Sequence, residues 1–303
     1  MRGRWRGALL PVLAAVALVG LVVAGCGERR SQQAPAADAP GVALVATADY
    51  GGRELLSVRV APGQSVMRAL RGATEVKTRY AGGFVERMFG LESDRTGMRD
   101  WFFFVNGISS PAGAKDVRLA DGDAVWWDHR DWSRLFDTPA VVGQWPAPLA
   151  LKGGRGPAVA ADPPLRAALA EAGADLAEGP SPWRAVVGES DALARRDPAW
   201  RRALADPDAA GLAVTVRGGA IVAFGAGRAP RAVVPGARAL IAAIPAEGDP
   251  ADGVVVVVAG LDAAAARAAA GALAADPSIV AQRYALALDG AGRPLAAGGR
   301  DGP

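Results

Sequence analysis

The chain holds one histidine, His129, and one cysteine, Cys26, among its 303 residues. Any Ser-His-Asp triad would have to use His129, which stands between Asp128 and the pair Arg130-Asp131, and no G-x-S-x-G nucleophile elbow is present. A zinc site built on two histidines is excluded. Gly225-Ala226-Gly227 follows an apolar run, but Arg228-Ala229-Pro230 supplies neither the third glycine nor a helix start, so it is no dinucleotide loop. Phosphate-cradling G-x-x-x-x-G-K-[ST] is missing. The carboxylate pairs Asp206/Asp208 and Asp249/Asp252 lie beside Pro or Gly and read as turns and caps. Nothing selects two of them for acid–base work, so no enzyme is expected and no catalytic residue is named.

Rings are the other chemical resource. Trp101-Phe102-Phe103-Phe104 and Trp126-Trp127-Asp128-His129-Arg130-Asp131-Trp132 concentrate aromatic side chains in two short runs. In a strand, Trp101, Phe103 and Val105 face one way and Phe102 and Phe104 the other. Both faces are apolar, so both need cover. One can take a helix; the other needs a second domain, a partner or a ligand. Indole buries a large area and keeps an N–H for orientation, which suits a flat amphipathic ligand. Stacking one would gain about 1–3 kcal/mol per ring, by analogy with nucleobases. Phe84, Trp101, Phe103, Trp126, Trp127, Arg130 and Trp132 are therefore the candidate ligand- or partner-binding residues. The competing reading makes the rings core, and Asp128, Arg130 and Asp131 an ion-pair rim.

The elements that must position these residues begin after residue 41. Arg2, Arg4 and Arg6 precede an apolar run from Ala8 to Val23, which reads as a secretory signal over residues 1–25. The 34 basic side chains, less those three arginines, leave 31 against 31 acidic ones. A neutral mature chain offers nucleic acid no phosphate-seeking surface. Val22-Val23-Ala24-Gly25-Cys26 resembles the lipobox of bacterial lipoproteins. That resemblance implies cleavage before Cys26, acylation of its sulfur, and a place on the extracytoplasmic side of the cell membrane. A plain signal peptide and an uncleaved anchor are the alternatives. Residues 26–41 are Pro-rich and aperiodic, a tether able to span about 50 Å.

From Val42 to residue 134 the pattern predicts strands over Val42–Ala48 and Glu54–Val60, with Ala61-Pro62-Gly63 as a break. Ser65 caps a helix over Val66–Leu70 that Gly72 stops. Strands follow at Glu75–Tyr80, Phe84–Phe89, Trp101–Val105 and Ala124–Arg130, with turns at Asn106-Gly107 and Asp121-Gly122-Asp123. Residues 135–156, with Pro139, Pro146 and Pro148 and a glycine cluster, read as a linker or strap. Residues 157–288 alternate helices (Leu165–Ala172, Pro198–Leu204, Ala263–Ala274 capped by Asp262) with strands (Trp183–Val187, Val254–Val258, Ile279–Leu288). Leu212–Val216 and Ile221–Phe224 read as a hairpin. An α/β domain is expected there, and a flexible tail over 289–303. The fold class of the whole is α+β.

Four spaced motifs carry a second resemblance: Gly63-Gln64-Ser65-Val66-Met67-Arg68-Ala69-Leu70, Gly82-Gly83-Phe84-Val85, Trp101–Ile108, and Asp121–Asp128 with Gly113-Ala114 ahead of it. Together they resemble the transcobalamin C-terminal-like domain. The resemblance implies a β-grasp fold over residues 42–134, and a lipid-anchored protein that captures a small, flat, cobalamin-like ligand or serves a membrane transporter. A cell-envelope protein–protein interaction module without a small ligand is the alternative. No cofactor or metal is expected beyond that ligand, and no nucleic acid.

Overall fold

The computed structural model describes residues 41–133, 135–224 and 230–297. The expected signal peptide, Cys26 and all but the last residue of the tether lie outside them. Alternation builds the first sheet. Val42, Leu44 and Ala46 of β1 (Val42–Ala48) are fully buried on one face, while Val45 leans on a different core. β2 (Arg53–Val60) pairs antiparallel to it. Ser65 then accepts the amide of Arg68 at 3.3 Å, and α1 (Val66–Ala73) places Val66, Met67, Ala69 and Leu70 on the sheet. Gly72 does not stop this helix, which runs on to Ala73; Thr74 closes it by donating to the Leu70 carbonyl at 3.0 Å.

β3 (Val76–Arg79), β4 (Phe84–Met88) and β5 (Leu91–Glu92) form a small antiparallel sheet beside α1. β6 (Arg99–Val105) turns through Asn106 and Gly107, both at left-handed φ (53° and 80°), into β7 (Ile108–Ser109). β8 (Ala124–Asp131) runs parallel to β1 and antiparallel to β6, giving the order β2-β1-β8-β6-β7. The result is a mixed sheet with one helix across one face.

The second half opens with β9 (Ala158–Ala161), α2 (Pro163–Glu171), β10 (Asp175–Leu176), β11 (Arg184–Glu189), α3 (Ser190–Arg196) and α4 (Pro198–Ala205). A three-stranded meander, β12 (Val214–Arg217), β13 (Ala220–Ala223) and β14 (Ala232–Val233), follows. Then come β15 (Ala239–Pro245), β16 (Val254–Gly260), α5 (Ala263–Ala275), β17 (Ala285–Leu288) and β18 (Pro294–Ala297). A seven-stranded sheet in the order β10-β9-β11-β16-β15-β17-β18 spans this half. β16 is buried along its whole length, as an unbroken valine run requires when both faces are covered. With five helices among the described residues, the class is α+β.

Three sequence expectations need correction. Residues 135–156 do not link loosely: Leu135, Val141, Val142 and Leu149 are buried, and Gln144 receives the Gly107 amide at 2.7 Å. The segment is a strap packed into both large cores, because its apolar residues have sheet surface to cover. Gly143 is needed there, since a Cβ would lie 2.5 Å from the Arg283 amide nitrogen. The expected strand Ile279–Leu288 is split. Asp276 caps a single tight helical turn, Pro277–Val280, and only Ala285–Leu288 pairs. The tail is not loose through Ala297, because β18 pairs with β17.

The two sheets share a core. Phe104 and Trp126, on the face of the first sheet away from α1, pack with Tyr284, Ala285 and Ala287 from the second half. Among the described residues no helix is long and apolar enough to cross a membrane.

Candidate functional site

Strand alternation sends the candidate ring residues to three different places. Trp101, Phe103 and Trp127 lie under α1, with Phe103 stacked on Trp127 at 4.8 Å and Trp101 against the His129 ring at 5.0 Å. Trp126 and Arg130 face the second half and are about 1% exposed. Trp132 is half-buried, edge-on to Phe136 at 5.4 Å, and Phe84 is half-buried on the β3–β4 hairpin. As an open stacking platform these residues are corrected by the structure: Trp101, Trp126, Trp127 and Arg130 are interior. The chain supplies its own cover for both faces of the aromatic strands.

The face toward the second half is held by a buried polar hub. The Asp128 carboxylate accepts the Thr47 hydroxyl (2.6 Å), the Tyr50 and Gly51 amides (3.1 and 3.2 Å) and the Tyr284 hydroxyl (3.0 Å). Burial raises its carboxyl above the ordinary range, opposed by the Thr47 hydroxyl, the Gly51 amide, Tyr284 and Arg130. Thr47 in turn receives the Trp126 indole N–H at 2.8 Å. Gly51 sits at φ 79°, where any Cβ would collide with the Gln282 carbonyl, so this approach of the two halves needs glycine. Arg130 donates to the carbonyls of Leu135 and Phe136 and lies over the Phe102 ring at 4.0 Å. With its groups sealed from solvent, the hub positions the two halves and has no room for a ligand.

His129 is buried within the first half. It is 3% exposed, with Nε2 3.0 Å from the Glu92 carbonyl. Burial lowers its pKa, against the raising effect of that carbonyl. Among the described residues no cluster of His, Cys, Asp and Glu is arranged to hold a metal.

The open site lies in the second half, at residues that sequence patterning did not single out. A cleft of about 790 Å³ is floored by Ala160, Ala161 and Val186 of β9 and β11 and walled by Arg184, Arg202 and Glu247. Its volume falls in the range of roughly 300–1,000 Å³ usual for small-molecule sites. α4 forms one bank. Asp197 starts that helix by accepting the Ala199 and Trp200 amides at 2.9 and 3.1 Å. The same carboxylate grips Arg184 bidentately, at 2.7 and 2.9 Å. Burial opposes the Asp197 charge, yet Arg184 and the helix amides prevail and hold its carboxyl below the usual range. At the far end Asp162 accepts the Val187 amide and Arg196, both at 2.6 Å. Arg202 donates to the Ala246 carbonyl. A second cleft, about 550 Å³, continues past Arg202 toward Asp137 and Asp206. Every arginine in the first cleft is held by the protein itself, and Ser181 is engaged with the Ala158 carbonyl at 2.7 Å. The legible signals were the strand Trp183–Val187 and the helix from Pro198; that Asp197 meets Arg184 thirteen residues away follows from no local pattern.

Comparison with known proteins adds a family assignment for part of the chain. Residues 63–130 match a domain of unknown function, DUF4430. No curated protein matches in sequence. Among solved structures, a candidate metal binding protein from Ruminococcus gnavus ATCC 29149 is similar at 11% identity and a TM-score of 0.26, over 31% of this chain and 98% of that one. Haptocorrin, solved in complex with Cbi, is similar at 15% identity and a TM-score of 0.24, over 30% of this chain. The chain spans only 25% of haptocorrin's length. Both scores are too low to establish a shared fold.

Proposed function

We propose that this chain is a lipid-anchored, extracytoplasmic binding protein, in which a β-grasp module over residues 42–131 braces an α/β unit whose cleft beside α4 takes a small ligand. One observation carries the reading. The aromatic faces are sealed, while the cleft between β9, β11 and α4 is open and of ligand size. Its lining combines apolar Ala160, Ala161, Pro182 and Val186 with charged Asp162, Arg184, Arg196, Asp197, Arg202 and Glu247. That mixture fits an amphipathic organic molecule better than a bare ion. One helix laid across a mixed sheet, with parallel β1 and β8 at its centre, supports the β-grasp description.

The test is a titration followed by tryptophan fluorescence. Trp200 is buried on α4, and Trp183 immediately precedes the β11 floor, so both report on the cleft. Cobalamin and cobinamide head the panel, since the transcobalamin-like motifs imply flat ligands. A saturable change is expected from at least one member. Ala160→Phe, which fills the floor, should weaken it about tenfold or more, equivalent to ~1.4 kcal/mol. No saturation by any member, or saturation indifferent to Ala160→Phe, removes the cleft from the proposal and favours a protein partner.

A further inference from the structure

The β3–β4 hairpin stands apart from the cleft and does two jobs with its two faces. Val76, Val85 and Met88 pack inward under α1. Outward, Lys77 lies directly opposite Arg87, and Arg79 directly opposite Phe84. Like charges facing one another across a strand pair repel. Their carboxylate partners only partly relieve this. Lys77 is 3.5 Å from Glu86, which also serves Arg79 at 2.7 Å, and Arg87 is 3.5 Å from Glu92. Lys77 and Arg87, with one carboxylate, Glu75, line a cavity of about 280 Å³ at the base of the hairpin. At its tip Tyr80 is 75% exposed and meets Phe84 edge-on at 6.3 Å. The turn holds it there with Tyr80 and Ala81 at φ 52° and 55°, a left-handed conformation rare for such residues.

We propose that this hairpin face docks on anionic phospholipid headgroups. Lys77 and Arg87 share a lipid phosphate at the cavity, which cancels their mutual repulsion, and Tyr80 with Phe84 enters the interfacial layer. Two features select a membrane surface over a soluble anion. Lys77 and Arg87 are exposed at 61% and 49%, so the cavity they border is reached from the surface, and the aromatic tip has an apolar ring with a polar end, the form that settles at headgroup depth. The inference goes beyond the cleft and needs no acyl chain.

Asp38–Pro303 is a compact unit that contains all three cores and lacks Cys26, so it isolates the hairpin from any lipid anchor. Co-sedimentation of this unit with phosphatidylcholine vesicles, with and without phosphatidylglycerol, should show retention several-fold higher on the anionic ones, falling as salt is raised. Lys77→Glu with Arg87→Glu should reduce it to the neutral-vesicle level. Tyr80→Ser should reduce retention on anionic vesicles while leaving the salt dependence in place. Lys77→Gln with Arg87→Gln removes the opposed charges, should melt no lower than the parent, and keeps the test open should charge reversal prevent folding. Equal retention on both vesicle types, or retention unchanged in the glutamine variant, overturns the proposal. So does saturable binding of inorganic phosphate that blocks vesicle retention, which would make the ligand a soluble anion. None of these outcomes depends on ligand binding in the cleft.

Discussion

Arg130 and His129 are neighbours that strand geometry sends to opposite faces, and each solves burial differently. Arg130 lies over three rings, 4.0 Å from Phe102, 5.5 Å from Tyr50 and 5.7 Å from Tyr284, and donates to strap carbonyls. His129 instead meets a single carbonyl, that of Glu92. Its folded-state pKa is depressed by burial, so as pH falls below the unfolded value of about 6.5 the unfolded chain takes the proton first. Stability associated with His129 is therefore full above that pH and is lost on acidification. Urea midpoints measured from pH 7.5 down to 5.5 should fall, and His129→Gln should flatten the slope; an equal slope in both proteins would assign it to other groups, though not to Asp128, whose raised carboxyl acts in the opposite direction. The sequence placed these residues on opposite faces by alternation alone. It could not place Tyr284 against Asp128, because that hydrogen bond joins positions 156 apart.

Among the elements, α4 is tied to the cleft through a single carboxylate. Asp197 serves as N-cap and as the bidentate partner of Arg184, whose side chain is only 18% exposed. Asp197→Ala removes the cap and strands a partly buried cation, for an expected loss of roughly 3 kcal/mol. Asp197→Asn retains a capping oxygen and should cost less. Urea unfolding of the two variants, with ligand titration alongside, separates helix support from cleft shape. Other elements show how uneven legibility was. Strands β1, β2, β6 and β8 were visible from alternation and from β-branched and aromatic residues. Central strand β15, Ala-Leu-Ile-Ala-Ala-Ile-Pro, was missed because an alanine-rich run has weak strand propensity and no period of two. β9, another alanine-rich segment, was lost for the same reason, and with it the Ala160 and Ala161 part of the cleft floor.

At the scale of the molecule, the strap, the shared core around Phe104, Trp126 and Tyr284, and the Asp128 hub bind the two sheets together within one compact unit, Asp38–Pro303. The proposed anchor acts on this unit from outside it. Cys26→Ser should abolish metabolic fatty-acid labelling and release the protein or leave it unprocessed; membrane retention at the processed size without label would remove the anchor from the proposal. From the sequence alone came the α+β class, most of the first sheet, the helix cap at Ser65 and the demand that both faces of the aromatic strands be covered. These depend on neighbours a few residues apart, whose spacing is set by the periods of strand and helix. What covers those faces was decided only in three dimensions: α1 covers one, and the protein's own second half covers the other. Burial is a property of distant surfaces meeting. A ring-rich strand reads the same whether a ligand or another part of the chain lies on it, and only the fold distinguishes the two.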